Sequence, residues 1–357
     1  MIAYYFVFFL MIMISLFYKA DTRIKWRWKL FWTFLPLFIY GAIRVDYGND
    51  YSGYEDLFKY IHSHGGFKID NDLHAEIGYQ LLNWIMPTFR ALLVFTSAML
   101  CIALCLFCYN NIPQKYLWLA ILLLFLNPEK NVFGTLVGMR SGLVVTSFLL
   151  GYVFIQKRKW IWFVPLTIGL SFIHTSAILY LPIAYIAGTN RQFKKREVWM
   201  WIGAAVILIF FSMSQLAEYI SFLLNNEYLD RYQYYLEDSG HRGGLMVFAS
   251  FIFIALYTMY FQFRRDAICP KVNSLIRMGL LYSVTMLMGS LAMRASYFYD
   301  MFLIASAVTI FSDKKTPEWL RYAVVFLLIA TSYYTMRVWM NSEWWNHETY
   351  HSLLGDW

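Results

Sequence analysis

Long apolar runs separated by short polar connectors set the pattern of this chain. A helix needs about twenty residues to cross a bilayer. On that length the runs predict about twelve spanning helices, at 2–18, 29–43, 91–109, 116–132, 139–155, 160–173, 175–188, 198–213, 245–263, 274–292, 297–311 and 320–338. An outer-membrane barrel would instead show segments of about ten residues with alternating polarity. The expected fold class is therefore all-α, a polytopic transmembrane helical bundle. Residues 1–357 read as a single integral membrane domain with outer polar loops at 44–76 and 214–244. The first apolar run carries no charge before Lys19, unlike a cleavable signal with basic residues ahead of its apolar core. It reads as the first span, with its amino end outside.

The stretch 75–90 does not fit the simple alternation of span and connector. It is too long to extend the following span and contains Pro87, which a helix interior tolerates poorly. An outward-facing interfacial helix is expected here, with Glu76 at its start and Pro87 turning the chain into the next span. A second such helix is expected at 215–224.

Composition agrees with this reading. The chain is 60% hydrophobic and 15% charged, with a mean hydropathy of +0.48, whereas soluble domains average roughly 45–50% apolar and about 25% charged residues. The net charge of +8 does not indicate nucleic acid, because Lys and Arg in such a chain are distributed by topology. Alternate connectors differ as the positive-inside rule requires. Those at 19–29, 156–159, 191–196, 264–266 and 313–315 are dense in basic residues and read as cytoplasmic; 44–76, 127–139, 174, 214–244, 294 and the tail from 339 read as outer. Cys101, Cys105 and Cys108 share one apolar run and Cys269 lies in a basic connector, a spacing that fits neither a metal site nor a disulfide framework.

Several charged residues stand where a span meets the outer side. Arg44, Asp46, Asp50 and Glu76 lie in the first outer loop, Arg140 opens an apolar helix, and His174 and Arg294 occupy tight turns between apolar runs. A single Arg there would usually snorkel to lipid phosphates, and a single His would usually be structural. Their convergence on one surface favours a site, since ionisable groups at membrane edges are costly unless paired or facing a wet cavity. Guanidiniums offer bidentate donors to phosphate oxygens, and carboxylates and an imidazole offer a general base. Gly48 and Gly53 flank Asp50 and permit a sharp turn. Tyr51 and Tyr54, with Asp46, supply aromatic faces and polar groups for a sugar, although most of the 28 Tyr must serve packing or the interface.

These segments, RVDYGNDYSGY, EIGYQLLN, MRSGLVV, KRKWIWFVPLTIGLSFIHTSAILYLPI and MRASYFYD, occur in the order found in EpsG/Wzy-type polysaccharide polymerases, which the chain resembles over most of 30–300. The resemblance implies a GT-C-like, metal-independent membrane glycosyltransferase without cofactor, in the bacterial cytoplasmic membrane, with its site facing outward. A glycan would pass from undecaprenyl diphosphate to a hydroxyl of another lipid-linked repeat unit, for O-antigen, capsule or exopolysaccharide. A flippase and a chain-length regulator are implied partners. By motif, Arg44, Gly48, Asp50, Glu76, Arg140, His174 and Arg294 match the family's polar positions, with Ser141 where Gln is commoner. Arg140 and Arg294, assisted by Arg44, would clamp the diphosphate; Asp50, Glu76 or His174 would serve as base. A flippase or secondary transporter and a membrane O-acyltransferase are the competing readings. Transporters usually gather charges near the bilayer midplane, and an acyl donor from the cytoplasm fits poorly with an outward site.

Overall fold

The computed structural model describes residues 2–64, 66–70, 73, 75–128, 131–179, 194, 196–197, 199–201, 203, 207, 244–264, 270–285, 300–341 and 350–356. Along the chain these form α1 (Ile2–Phe17), α2 (Arg23–Ile43), α3 (Tyr51–Ser63), α4 (Ile77–Ile85), α5 (Phe89–Asn111), α6 (Leu117–Leu126), α7 (Val132–Val137), α8 (Met139–Gln156) and α9 (Trp160–Ser171). A 3₁₀ turn, Thr175–Leu179, follows. Then come α10 (Gly244–Phe263), α11 (Pro270–Thr285), α12 (Asp300–Ser312), α13 (Glu318–Met340) and a two-stranded antiparallel hairpin, β1 (His351–Ser352) and β2 (Gly355–Asp356). The described chain is all-α apart from that hairpin. Two compact units divide it, one of Met1–Pro182 with Ser332–Trp357, the other of Ile183–Thr331.

Local chemistry explains several boundaries. Thr22 and Thr88 are helix N-caps, their side chains accepting from the Lys25 and Ala91 backbone N–H groups at 3.2 and 3.1 Å. A helix, α4, stands within 75–90, and Pro87 lies in the break before α5 as expected. Three expectations change. The run 116–132 is helical only over Leu117–Leu126, because Pro128 disfavours helical backbone at Asn127 and ends α6 there, and the short helix α7 stands in the connector expected at 127–139. Thirteen residues of the outer loop 44–76 form helix α3, whose buried residues Tyr51, Phe58 and Ile61 share one face with Tyr54. The run 175–188 starts as a 3₁₀ turn and continues outside the described residues. Most of 198–213 and all of 214–243, including the helix expected at 215–224, also lie outside them.

In the first unit α2 packs against α5 and α1, and α8 against α5 and α9. Among the described residues, α5 and α8 are long and apolar enough to cross a membrane unaided. The connectors sort by end. At one end Arg27 lies 5.5 Å from the centre of the Tyr109 ring and Gln156 donates to Asn111 at 3.2 Å. At the other, Arg140 meets Glu76, Glu76 meets His174, and Arg44 pairs with Ser352 of the hairpin. The members of each group share a side in the positive-inside assignment.

In the second unit α11 packs against α10 and α12. Arg264 and Asp313, from two connectors assigned to the same side, pair at 2.7 Å. Arg277, buried in α11, pairs with Glu197 at 3.0 Å.

Candidate functional site

The site is assembled around the start of α4. Glu76 is its N-cap residue in extended conformation, and its side chain makes no bond to its own helix. The chain can come this close to α9 because of Gly78. Its N–H donates to the Phe172 carbonyl at 2.7 Å, and a Cβ there would lie 2.7 Å from that oxygen. This contact carries Glu76 to the residues just beyond α9. Its Oε1 accepts from His174 Nδ1 at 3.0 Å and from the Thr175 N–H at 3.1 Å, while Oε2 accepts from Arg140 Nη1 at 3.0 Å. One carboxylate thus joins α4, α8 and the turn after α9.

Burial works against ionisation of Glu76, but the hydrogen bonds from His174 and the Thr175 backbone, with Arg140 beside it, outweigh burial and bring the carboxyl to about 2. An ionised carboxylate is acceptor-only, so His174 Nδ1 must carry the proton in this contact. In neutral imidazole the basic lone pair is then on Nε2. The arrangement provides an oriented base held by a carboxylate that a guanidinium also neutralises.

Arg140 also bonds the Tyr54 hydroxyl of α3, and Tyr54 packs edge-on against Tyr79 with ring centres 5.7 Å apart. Tyr79, fully buried in α4, feels the charges of both Arg140 and Arg44. It connects two cationic centres.

Arg44 follows the last turn of α2 and is only 2% exposed. Its carbonyl and that of Ala42 accept from Arg90 Nη1 of α5 at 2.6 and 2.9 Å, an arrangement in which a cation caps a helix C-terminus. The hairpin holds the other side: the Val45 N–H donates to the His351 carbonyl at 2.8 Å and the Leu353 N–H to the Ile43 carbonyl at 3.0 Å. Tyr350 stacks on Tyr40, centres 4.5 Å apart, and bonds its carbonyl; Tyr40 in turn donates to the Tyr47 hydroxyl at 2.8 Å. The guanidinium is treated differently from its backbone. Its Nε and Nη1 have no hydrogen-bond partner among the described residues, and burial lowers its pKa to about 10, still a cation at neutral pH. Each unmet buried donor costs about 1–3 kcal/mol.

A model of the EpsG family matches residues 27–350. The chain belongs to the EpsG family. No curated protein and no solved structure matches it significantly. EpsG membership, with the apolar helices, makes this a membrane protein with a function of the polysaccharide-polymerase type, a glycosyltransferase acting on lipid-linked saccharides. All the described site residues fall inside the matched EpsG segment.

The remaining residues singled out in the sequence are distributed unevenly. Asp46 is exposed, with a positive φ of 42°, beside Gly48, whose φ of 95° makes the anticipated turn. Gly53 instead lies inside α3. Asp50 is the exposed N-cap residue of α3, and its charge reaches Tyr54. Tyr51 packs into an apolar cluster with Phe58, Leu92, Leu93 and Met139. Ser141 donates back to the Gly138 carbonyl at 2.9 Å. Arg294 lies outside the described residues. Tyr79, Arg90 and Tyr350 carry no marking in the sequence beyond type.

Proposed function

We propose that this EpsG-family protein elongates a polysaccharide by transferring a glycan from undecaprenyl diphosphate to a hydroxyl of a second lipid-linked repeat unit. The observation that carries the reading is the meeting of Arg140, Glu76 and His174 from three separated parts of the chain. His174 Nε2 takes the proton of the acceptor hydroxyl as its oxygen bonds to the anomeric carbon. Glu76 is the positioning residue that fixes the imidazole and stabilises it once protonated. The bond from the anomeric carbon to the phosphate oxygen breaks, its electron pair leaving with undecaprenyl diphosphate. Charge develops on that oxygen. Arginines preorganised near it stabilise the charge without a metal, the task assigned to Arg140, Arg44 and Arg294.

Tyr54 and the exposed Asp46 and Asp50 face the sugar in this scheme, while Tyr51 supports them from the core. The site faces the outer side of the cytoplasmic membrane in a bundle of about twelve spans. That orientation is supported by the sorting of connectors into two ends, with the basic set opposite the site. A flippase and a chain-length regulator would act before and beside it.

Purified protein reconstituted with lipid-diphosphate repeat units should produce a ladder of longer lipid-linked products. Units that cross the vesicle bilayer without lengthening would replace this reading with a flippase.

A further inference from the structure

Two arginines reach the same end of the first unit, and their surroundings differ. Arg140 already has its charge met by Glu76 and its donors engaged by Glu76 and Tyr54. Around Arg44 the groups that feel its charge most are Tyr350, Tyr40, Tyr51 and Tyr79, with no carboxylate in the set. Its Nε–H and Nη1–H have no acceptor among the described residues, although the side chain is buried. A folded chain rarely leaves two such donors unmet unless something outside it supplies the acceptor.

The backbone that carries this guanidinium is fixed from both sides. Arg90 holds the carbonyls of Ala42 and Arg44, and the hairpin adds strand-like pairing at Ile43, Arg44 and Val45. Such fixed placement is what a binding group needs, because little freedom is lost when the ligand arrives. The hairpin also forms a cover. Tyr350 closes against Tyr40 and Tyr47, while Leu353 and Leu354 at the hairpin turn are 62% and 74% exposed. Exposed leucines beside a buried cation suit a ligand with an anionic head and an apolar chain.

We propose that Arg44, rather than Arg140, is the principal seat for the substrate's diphosphate, and that Tyr350 and the carboxy-terminal hairpin are its cover. The proposal rests on the polymerase reading and names the part of that site that receives the lipid-linked anion. Arg44 Nε–H and Nη1–H lie on different edges of the guanidinium plane and donate separately to phosphate oxygens, a fixed planar array of donors that lysine cannot reproduce. For the head to enter, the hairpin swings away from residues 43–45 and then closes again. Tyr350 is thus a positioning residue, acting through Arg44.

The test is binding of undecaprenyl diphosphate to the full-length protein in phosphatidylcholine nanodiscs, read without turnover. Arg44→Gln and Arg44→Lys should weaken binding at least tenfold, Arg140→Gln by less than threefold, with thermal unfolding of each variant recorded alongside. Tyr350→Ala should weaken binding about fivefold, and Tyr350→Phe, which keeps the ring, should restore it to within twofold of wild type. Free pyrophosphate should compete only weakly. Wild-type affinity in a folded Arg44→Gln protein would overturn the seat, and wild-type affinity in Tyr350→Ala would overturn the cover. Equal competition by free pyrophosphate, or Arg44-dependent displacement by phosphatidylglycerol, would overturn the assignment to a lipid-linked diphosphate. Arg44-dependent binding in a protein that forms no product ladder would remove the polymerase reading and leave the seat standing. A ladder accompanied by Arg44-independent binding would do the reverse.

Discussion

Arg140 and Arg44 lie in the same unit, at the same end of its helices, under opposite electrostatic conditions. Arg140 stands in a closed set of partners in which Glu76 is shared with His174 and the Thr175 backbone. Arg44 stands among tyrosines, with two donors unmet among the described residues. A charge whose partner is built into the chain organises neighbouring groups, whereas a charge without one is available to a ligand. In the function and the seat proposed above, the difference separates proton transfer, centred on Glu76 and His174, from anion binding, centred on Arg44.

The largest effect that would sharpen this contrast comes from the base. His174→Ala should lower the rate of elongation by about 10²–10⁴-fold, measured from product ladders at saturating donor, with donor binding retained. An equal loss of donor binding would merge the two regions into one. Arg44→Lys should come next, lowering kcat/KM by about tenfold to a hundredfold through loss of the fixed guanidinium donors. A normal kcat/KM would contradict the contrast.

Gly78→Ala should act on one region only. Its new Cβ would press on the Phe172 carbonyl, costing about 1–3 kcal/mol and moving Glu76 away from His174. Thermal unfolding and elongation should both fall while affinity for undecaprenyl diphosphate holds. The smallest effect concerns pH. Because the Glu76 carboxyl is lowered from 4.5 to about 2 in the folded protein, its stabilising contribution is complete above about pH 4.5 and is lost as pH falls toward 2. Glu76→Gln should flatten that acid limb in thermal unfolding of the detergent-solubilised protein.

Much of this arrangement was legible in the sequence through charge and period. The alternation of basic and acidic connectors placed Arg44, Glu76, Arg140 and His174 at one end, where contacts now join Glu76 to Arg140 and His174 and electrostatics link Arg140 and Arg44 through Tyr79. Pro87 and Gly48 declared their turns by backbone chemistry alone. Helix α3 is masked in the sequence although Tyr51, Tyr54, Phe58 and Ile61 repeat at helical spacing, because the polar residues between them read as loop. The break after α6 was signalled by Pro128. Arg90 and Tyr350 could not be found in this way. Their contacts span 46 residues to Arg44 and 310 residues to Tyr40, distances over which a single sequence carries no pattern. The unequal state of the two arginines was equally hidden, since it depends on which carboxylate reaches which guanidinium.

The most direct measurement takes wild type, His174→Ala and Arg44→Gln through donor binding and single-turnover elongation on the same reconstituted preparations. The account predicts that His174→Ala binds undecaprenyl-diphosphate-linked donor normally but fails to elongate it. Arg44→Gln should bind poorly and recover part of its elongation as donor concentration rises. Normal binding by Arg44→Gln together with lost binding by His174→Ala would contradict the division between the two regions.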